Sequence, residues 1–437
     1  MIGALVLGLI AIAQALIFPA SVSRVLSAIL LSLALFFSSG RVGSLVGDQF
    51  TQVGMLAVLI PAVVTLLFHK KQQRHFVLLV TMLTLAGYLV AASRNLATLA
   101  VSLESLALAA TAVAFYPGER EKMRVTATYL IFSVMAAVLL FMGLAFYFAG
   151  TNTVSLTQFT QTPTAIVGLT FLLAAIMLKL AIFPMHAWAV DVYSLASTSA
   201  AIYLSTSVKA AVMLALGILL AGPLKFAYQA GYWQVIIPAL VLVVCSIAAG
   251  AAGMARSKGI KRLLAFSSIA HAGFLSLVLA TPGAFSAGVI AYYALVYSLS
   301  NTVAFSAPLL LKGEGEASLE ELSLLYKRPL TALAIAIALI SLLGLPPTAG
   351  FNAKLLALVS LFKSGAIPQW FLLAIAVAAV VFTAATGYGY IKAIGYLAKK
   401  PEQGPEPWPE LELLMIIYAF MILLLYFYPM IPKINVF

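Results

Sequence analysis

Charge is scarce in this chain. Asp, Glu, Lys and Arg make up 9% of the residues and hydrophobic types 63%, with a mean hydropathy of +1.10. Soluble domains carry roughly 25% charged residues, so a soluble globular protein is excluded. Cysteine occurs once, at Cys245, which excludes an intrachain disulfide or a cysteine-ligated cluster and reads as packing inside a helix. Acids are rarer than bases, 13 against 25. The net charge of +12 is spread over separate loops, which gives no footprint for nucleic acid.

What the chain does have is long apolar runs, each of about 18 to 25 residues, recurring from end to end. The reading is an all-α polytopic membrane protein with about fourteen spans. They lie near 2–18, 22–39, 51–68, 76–92, 95–116, 126–149, 164–193, 196–221, 232–254, 260–280, 284–311, 330–363, 369–397 and 409–430. The first run lacks a basic n-region and reads as a helix rather than a cleaved signal. Spans seven and twelve are overlong and interrupted, by Pro184 and by Pro346-Pro347 with Gly350. Proline removes a backbone donor and breaks a helix, and broken helices at membrane depth line protected or wet cavities. The two breaks lie five spans apart, and an odd number of helices per unit inverts the second copy. The expected organisation is therefore a three-helix segment (1–75), two inverted five-helix repeats (76–221 and 222–400) and a C-terminal helix (401–437). The stretch from Pro401 to Pro409 reads as a loop.

Charge sets the expected orientation. Loops after odd-numbered spans hold sixteen basic residues, among them Lys70, Lys71, Arg256, Lys258, Lys261 and Arg262. The other side holds five: Arg41, Arg94, Lys225, Lys363 and Lys433. By the positive-inside rule the richer side is cytoplasmic and both termini face outward. The location implied is the inner or plasma membrane of a cell.

Four lysines remain inside the spans: Lys179, Lys209, Lys354 and Lys392. Glu104 is the one mid-span acid. Ionisable groups at membrane depth are costly and mark functional sites by default. His186 and Asp191 follow the first break. Ser205 with Lys209, Ser267 and Ser268 with His271, Tyr297 with Asn301, and Tyr388 with Lys392 are each three or four residues apart and so share helix faces. Together these groups form one expected polar line at mid-depth. An amine in an apolar interior loses solvation of its charged form. At roughly 6 Å and an effective dielectric near 20, a carboxylate restores about 2.8 kcal/mol. A glutamate that moves relative to a lysine can thus govern whether the lysine holds its proton, which is the requirement for a proton pump. The blander readings are snorkelling of Lys209 or Lys392 toward the surface, a static Glu104–lysine ion pair, and packing roles for His271 and His186.

The stretches LESLALAATAV, LKLAIFPMHAWAVDVY, STSVKAAVM, KGIKRLLAFSSIAHAGFLSL and SLLGLPPTAGFNAKLLAL resemble the antiporter-like proton-translocating subunits of respiratory complex I, most closely the N-type subunit of NADH-quinone oxidoreductase. The resemblance spans about residues 76 to 397. It implies the fourteen-helix fold with broken helices seven and twelve, and proton translocation by Glu104, Lys179, Lys209 and Lys354, with His271, His186 and Lys392 in weaker roles. It also implies no cofactor or metal in this chain; NADH, FMN, iron–sulfur clusters and quinone belong to partner subunits of the membrane-embedded assembly. The stretch AWAVDVYSLASTSA departs from the family's WTPDVYxGxPTP by lacking its prolines, which leaves the electron donor open to ferredoxin- or hydrogenase-linked relatives. Two rivals remain: a Mrp-type cation/proton antiporter subunit, and a spacer between pumping neighbours.

Overall fold

The computed structural model describes residues 1–68, 74–115, 120–232, 236–401 and 412–427. The expected loop positions Lys70 and Lys71, Lys433 and the segment 402–411 lie outside the described residues. The protein is predominantly helical. In chain order the helices are α1 (Ile2–Ile17), α2 (Ala20–Phe36), α3 (Gln49–Phe68), α4 (Arg74–Ala92), α5 (Leu96–Phe115), α6 (Arg120–Thr151), α7 (Pro163–Lys179), α8 (Ala187–Leu195), α9 (Thr198–Tyr203), α10 (Lys209–Ala221) and α11 (Pro223–Gln229). They continue with α12 (Ile236–Arg256), α13 (Ile260–Leu275), α14 (Ala284–Lys312), α15 (Pro329–Leu343), α16 (Ala349–Phe362), α17 (Gln369–Leu397) and α18 (Glu412–Phe427). Among the described residues, nine helices are long and apolar enough to cross a membrane.

The centre is made of helices that are apolar or small all round. The continuous helix Thr198–Ala221 is wholly buried, and α13 and α14 are nearly so. Their polar residues therefore point at one another. By contrast, α6 and α17 leave most of their apolar surface outward, with Val138, Phe141, Val380 and Val381 exposed. In lipid such a surface is the solvent-facing one.

Two interruptions divide long spans. The first separates α7 from α8, with Ala181 at φ +60° and a cis Phe183–Pro184 bond. Its freed backbone is bonded elsewhere: the Phe183 N–H donates to Ser246 Oγ on α12 at 2.6 Å. The second separates α15 from α16 around a cis Pro346–Pro347 bond. Here the sequence expectation needs correcting, because Gly344, not Gly350, ends the helix. Gly344 adopts the left-handed conformation (φ +87°) at the C-cap of α15, where L side chains are strained. Gly350 sits inside α16 and serves close approach, since a Cβ there would come 1.8 Å from the Ser341 carbonyl oxygen.

The all-α expectation also missed a hairpin. Strands β1 (Gly40–Val42) and β2 (Leu45–Gly47) pair antiparallel between α2 and α3. Asp48 follows, accepts from the Thr51 N–H at 2.9 Å, and so caps α3. Arg94 donates to both Asp48 carboxylate oxygens at 2.9 Å. The two side chains are 2% and 3% exposed, so Arg94 is an internal staple rather than a free loop cation.

Candidate functional site

The site begins where α7 stops. Lys179, its last residue, places Nζ 3.0 Å from Glu104 Oε1 on α5, with side-chain exposures of 8% and 19%. Little water screens the pair, so its attraction is strong, but much of that offsets the cost of taking both charges out of water. Beyond it, Lys179 and Lys209 line one cavity with Tyr129, Ser133, Trp188 and Tyr193. The Trp188 indole N–H has no protein partner among the described residues. Ordered water commonly satisfies such a group.

Lys209 opens α10 directly after a π-helical turn, Leu204–Val208. Such turns are uncommon and recur at functional sites. Lys209 is 1% exposed, and its ammonium donates to the Ser268 carbonyl at 2.9 Å and Ser268 Oγ at 3.0 Å on α13. It is therefore held inside the bundle rather than snorkelling. One residue earlier, Ser267 Oγ bonds Tyr390 Oη on α17 at 2.5 Å. Tyr390 in turn meets His271 Nε2 at 3.3 Å, and His271 Nδ1 meets Tyr293 Oη at 2.8 Å. Nearby, Tyr297 donates to the Ser205 carbonyl at 2.9 Å, and the Asn301 amide donates to Tyr297 Oη at 3.1 Å.

The last lysine uses the second interruption. Ending α15 frees the carbonyls of its final turn, and Lys354 Nζ on α16 donates to those of Leu342 and Leu343, both at 2.8 Å. Lys354, His271, Tyr390, Thr383 and Thr386 line a common cavity. Thus a broken helix supplies the acceptors that a buried ammonium needs.

The structure joins Glu104, Lys179, Lys209, His271 and Lys354 by contacts or shared cavities. It does not join all the other candidates. His186 is half-buried and stacks on Phe183, with ring centroids 5.5 Å apart, at the edge of the first break. Lys392 is half-buried on α17, and Asp191 is exposed. Tyr388 is 60% exposed, so the expected Tyr388–Lys392 pair faces away from the line. Tyr390, two residues on, takes the inward place. Sequence reasoning missed Tyr390, Tyr293 and the Leu342 and Leu343 carbonyls. Tyr293 was within reach, since Tyr293, Tyr297 and Asn301 repeat at four-residue spacing on α14.

Comparison with known proteins places this fold. The family described as NADH:quinone oxidoreductase/Mrp antiporter, transmembrane, matches residues 93–383. NADH-quinone oxidoreductase subunit 14 of Thermus thermophilus is 33% identical over 366 residues, covering 83% of this chain and 80% of that one. A chain in the structure of respiratory complex I from Thermus thermophilus with bound aureothin superposes with a TM-score of 0.86 at 29% identity, covering 98% of this chain and 96% of that one. A chain of the Mrp complex from Dietzia sp. DQ12-45-1b superposes with a TM-score of 0.78 at 19% identity, covering 96% and 94%, a likeness of fold.

Proposed function

We propose, since the chain belongs to the NADH:quinone oxidoreductase/Mrp antiporter transmembrane family, that it is the N-type proton-translocating membrane subunit of a complex I-type redox pump. In this reading the chain crosses the membrane fourteen times, with both termini outward. Residues 76–221 and 222–400 form its two inverted units. It moves protons and holds no redox centre or metal; NADH, FMN, iron–sulfur clusters and quinone belong to partner subunits. Electron transfer in those partners alters the Glu104–Lys179 pair. Charge then passes by Lys209 and the Ser268, Tyr390 and His271 region to Lys354, with release to the outside.

One observation carries this reading: buried amines from three separate helices lie along one series of sites. These are the Glu104–Lys179 pair, the cavity Lys179 shares with Lys209, the Lys209–Ser268 bond, and the cavity Lys354 shares with His271, with α13 carrying both Ser268 and His271. A spacer would not require amines at membrane depth, where each is costly unless used. The test is Lys179→Ala in the assembled complex, reconstituted into proteoliposomes, with redox-driven proton uptake followed by a fluorescent pH probe. Loss of pumping with retained assembly is expected, and pumping at the wild-type rate refutes the scheme. The fold shared with the Mrp chain makes cation/proton exchange the second reading. That reading requires sodium- or potassium-dependent proton flux without any quinone enzyme present.

A further inference from the structure

Three cations converge where α12 gives way to α13. Arg256 ends α12, Lys258 lies in the connection and Arg262 is in the first turn of α13; all three are exposed. Basic residues at a membrane boundary usually only set topology. These three do more, because they line a single open recess of about 500 Å³. Among the described residues, none of the three forms an ion pair. The neighbouring cation behaves differently: Lys261 turns inward, donates to the Ala196 carbonyl at 2.9 Å and faces Glu316 at 3.7 Å. Glu316 lies against Gly259 on the recess wall, and its charge is engaged by Lys261.

Beneath the cations the wall turns apolar. Ala249, Ala252 and Gly253 share one face of α12, and Phe266 of α13 closes the trough. A Cβ at Gly253 would come 2.1 Å from the Phe266 ring, so the glycine is what lets the ring lie flat against α12. The Arg262 guanidinium is 5.8 Å from the centroid of the same ring, which joins the charged rim to the apolar floor. A strongly basic mouth above a smooth apolar trough, on a membrane-embedded helix pair, complements an amphiphile with an anionic head.

We propose that this recess binds an anionic phospholipid. Its phosphodiester sits among Arg256, Lys258 and Arg262, and an acyl chain follows the trough of Ala249, Ala252 and Gly253. Two guanidiniums and an ammonium match the phosphate oxygens with charge-assisted hydrogen bonds. A free phosphate would use the rim and ignore the trough, which separates the two sources.

The full chain, placed in nanodiscs of phosphatidylcholine doped with phosphatidylglycerol, is extracted into mild detergent, and retained lipid is quantified by class. Wild type is expected to retain phosphatidylglycerol in preference to phosphatidylcholine. R256Q/R262Q is expected to lower that retention about tenfold or more, from roughly one surface-charge contribution per side chain. The control K399Q/K400Q, which removes two exposed cations elsewhere, keeps it. A252W, which fills the trough at an exposed position, lowers lipid retention with the rim intact, and excess inorganic phosphate does not displace the lipid. Equal retention of both lipids, or an R256Q/R262Q variant that retains phosphatidylglycerol as wild type does, overturns the proposal. So does an equal loss in the control, or displacement by inorganic phosphate together with an indifferent A252W. Helicity by circular dichroism checks that each variant is folded.

Discussion

Removing the Glu104 charge while leaving Lys179 in place is the sharpest perturbation of this site. The two groups are 3.0 Å apart and both less than a fifth exposed. At that distance and an effective dielectric near 20, Coulomb's law gives about 5.5 kcal/mol of attraction. Part of this only offsets the cost of taking both charges out of water, so the net worth of the pair is far smaller. Breaking it from one side is a different matter, because it strands a buried ammonium. Glu104→Gln should therefore destabilise the folded chain by about 3–5 kcal/mol. Glu104→Gln with Lys179→Met removes both charges and should be less destabilised than Glu104→Gln alone, giving a coupling of about 2 kcal/mol in a double-mutant cycle. Unfolding by sodium dodecyl sulfate of the purified chain measures all four corners. Proton pumping in the reconstituted complex supplies the second readout: Lys179→Met and the double variant are both expected to be silent, although the double variant is the more stable of the two Glu104 variants. Additive stabilities would show that the groups do not interact. Restored pumping in the double variant would show that the pair is only a structural bridge.

Tyr390→Phe keeps the ring but removes the hydroxyl that touches Ser267 and His271. It should cost about 1 kcal/mol per lost bond and lower pumping several-fold, whereas Tyr388→Phe, on the exposed face, leaves pumping unchanged; equal pumping by the two variants would remove Tyr390 from the path. Asp48→Asn leaves Arg94 buried without its countercharge and should lower unfolding stability by about 3–5 kcal/mol, while pumping per folded molecule stays at the wild-type level. Gly350→Ala drives a methyl group into the Ser341 carbonyl. It should destabilise by about 1–3 kcal/mol as overpacking does and reduce pumping by moving α16, with Lys354, off the Leu342 and Leu343 carbonyls; a neutral result on both readouts would show that the second break tolerates displacement.

Much of this was legible in the residues themselves. Runs of apolar residues can only be helices in lipid, because every backbone group must find a partner within its own segment. The prolines near 184 and 346 mark where that rule is suspended, and a lysine or glutamate inside a run is rare enough to announce itself. Glu104, Lys179, Lys209 and Lys354 were therefore visible one by one. Their partners were not. In a soluble helix the polar face points to water and the apolar face inward, but in a membrane both the lipid face and the core face are apolar. Periodicity along α17 thus could not say that Tyr390 turns in and Tyr388 turns out. The acceptors for Lys354 are backbone carbonyls, which leave no trace in residue types, and the Asp48–Arg94 staple joins positions 46 residues apart through a hairpin too short to register. The sequence by itself determined the long apolar helices, their two breaks and the charges Glu104, Lys179, Lys209 and Lys354 within them, but not that Arg94 and Lys261 are buried while Lys392 is only half so. Which groups meet was decided only by the packing, because helix rotation and crossing fix contacts that no single stretch of chain encodes.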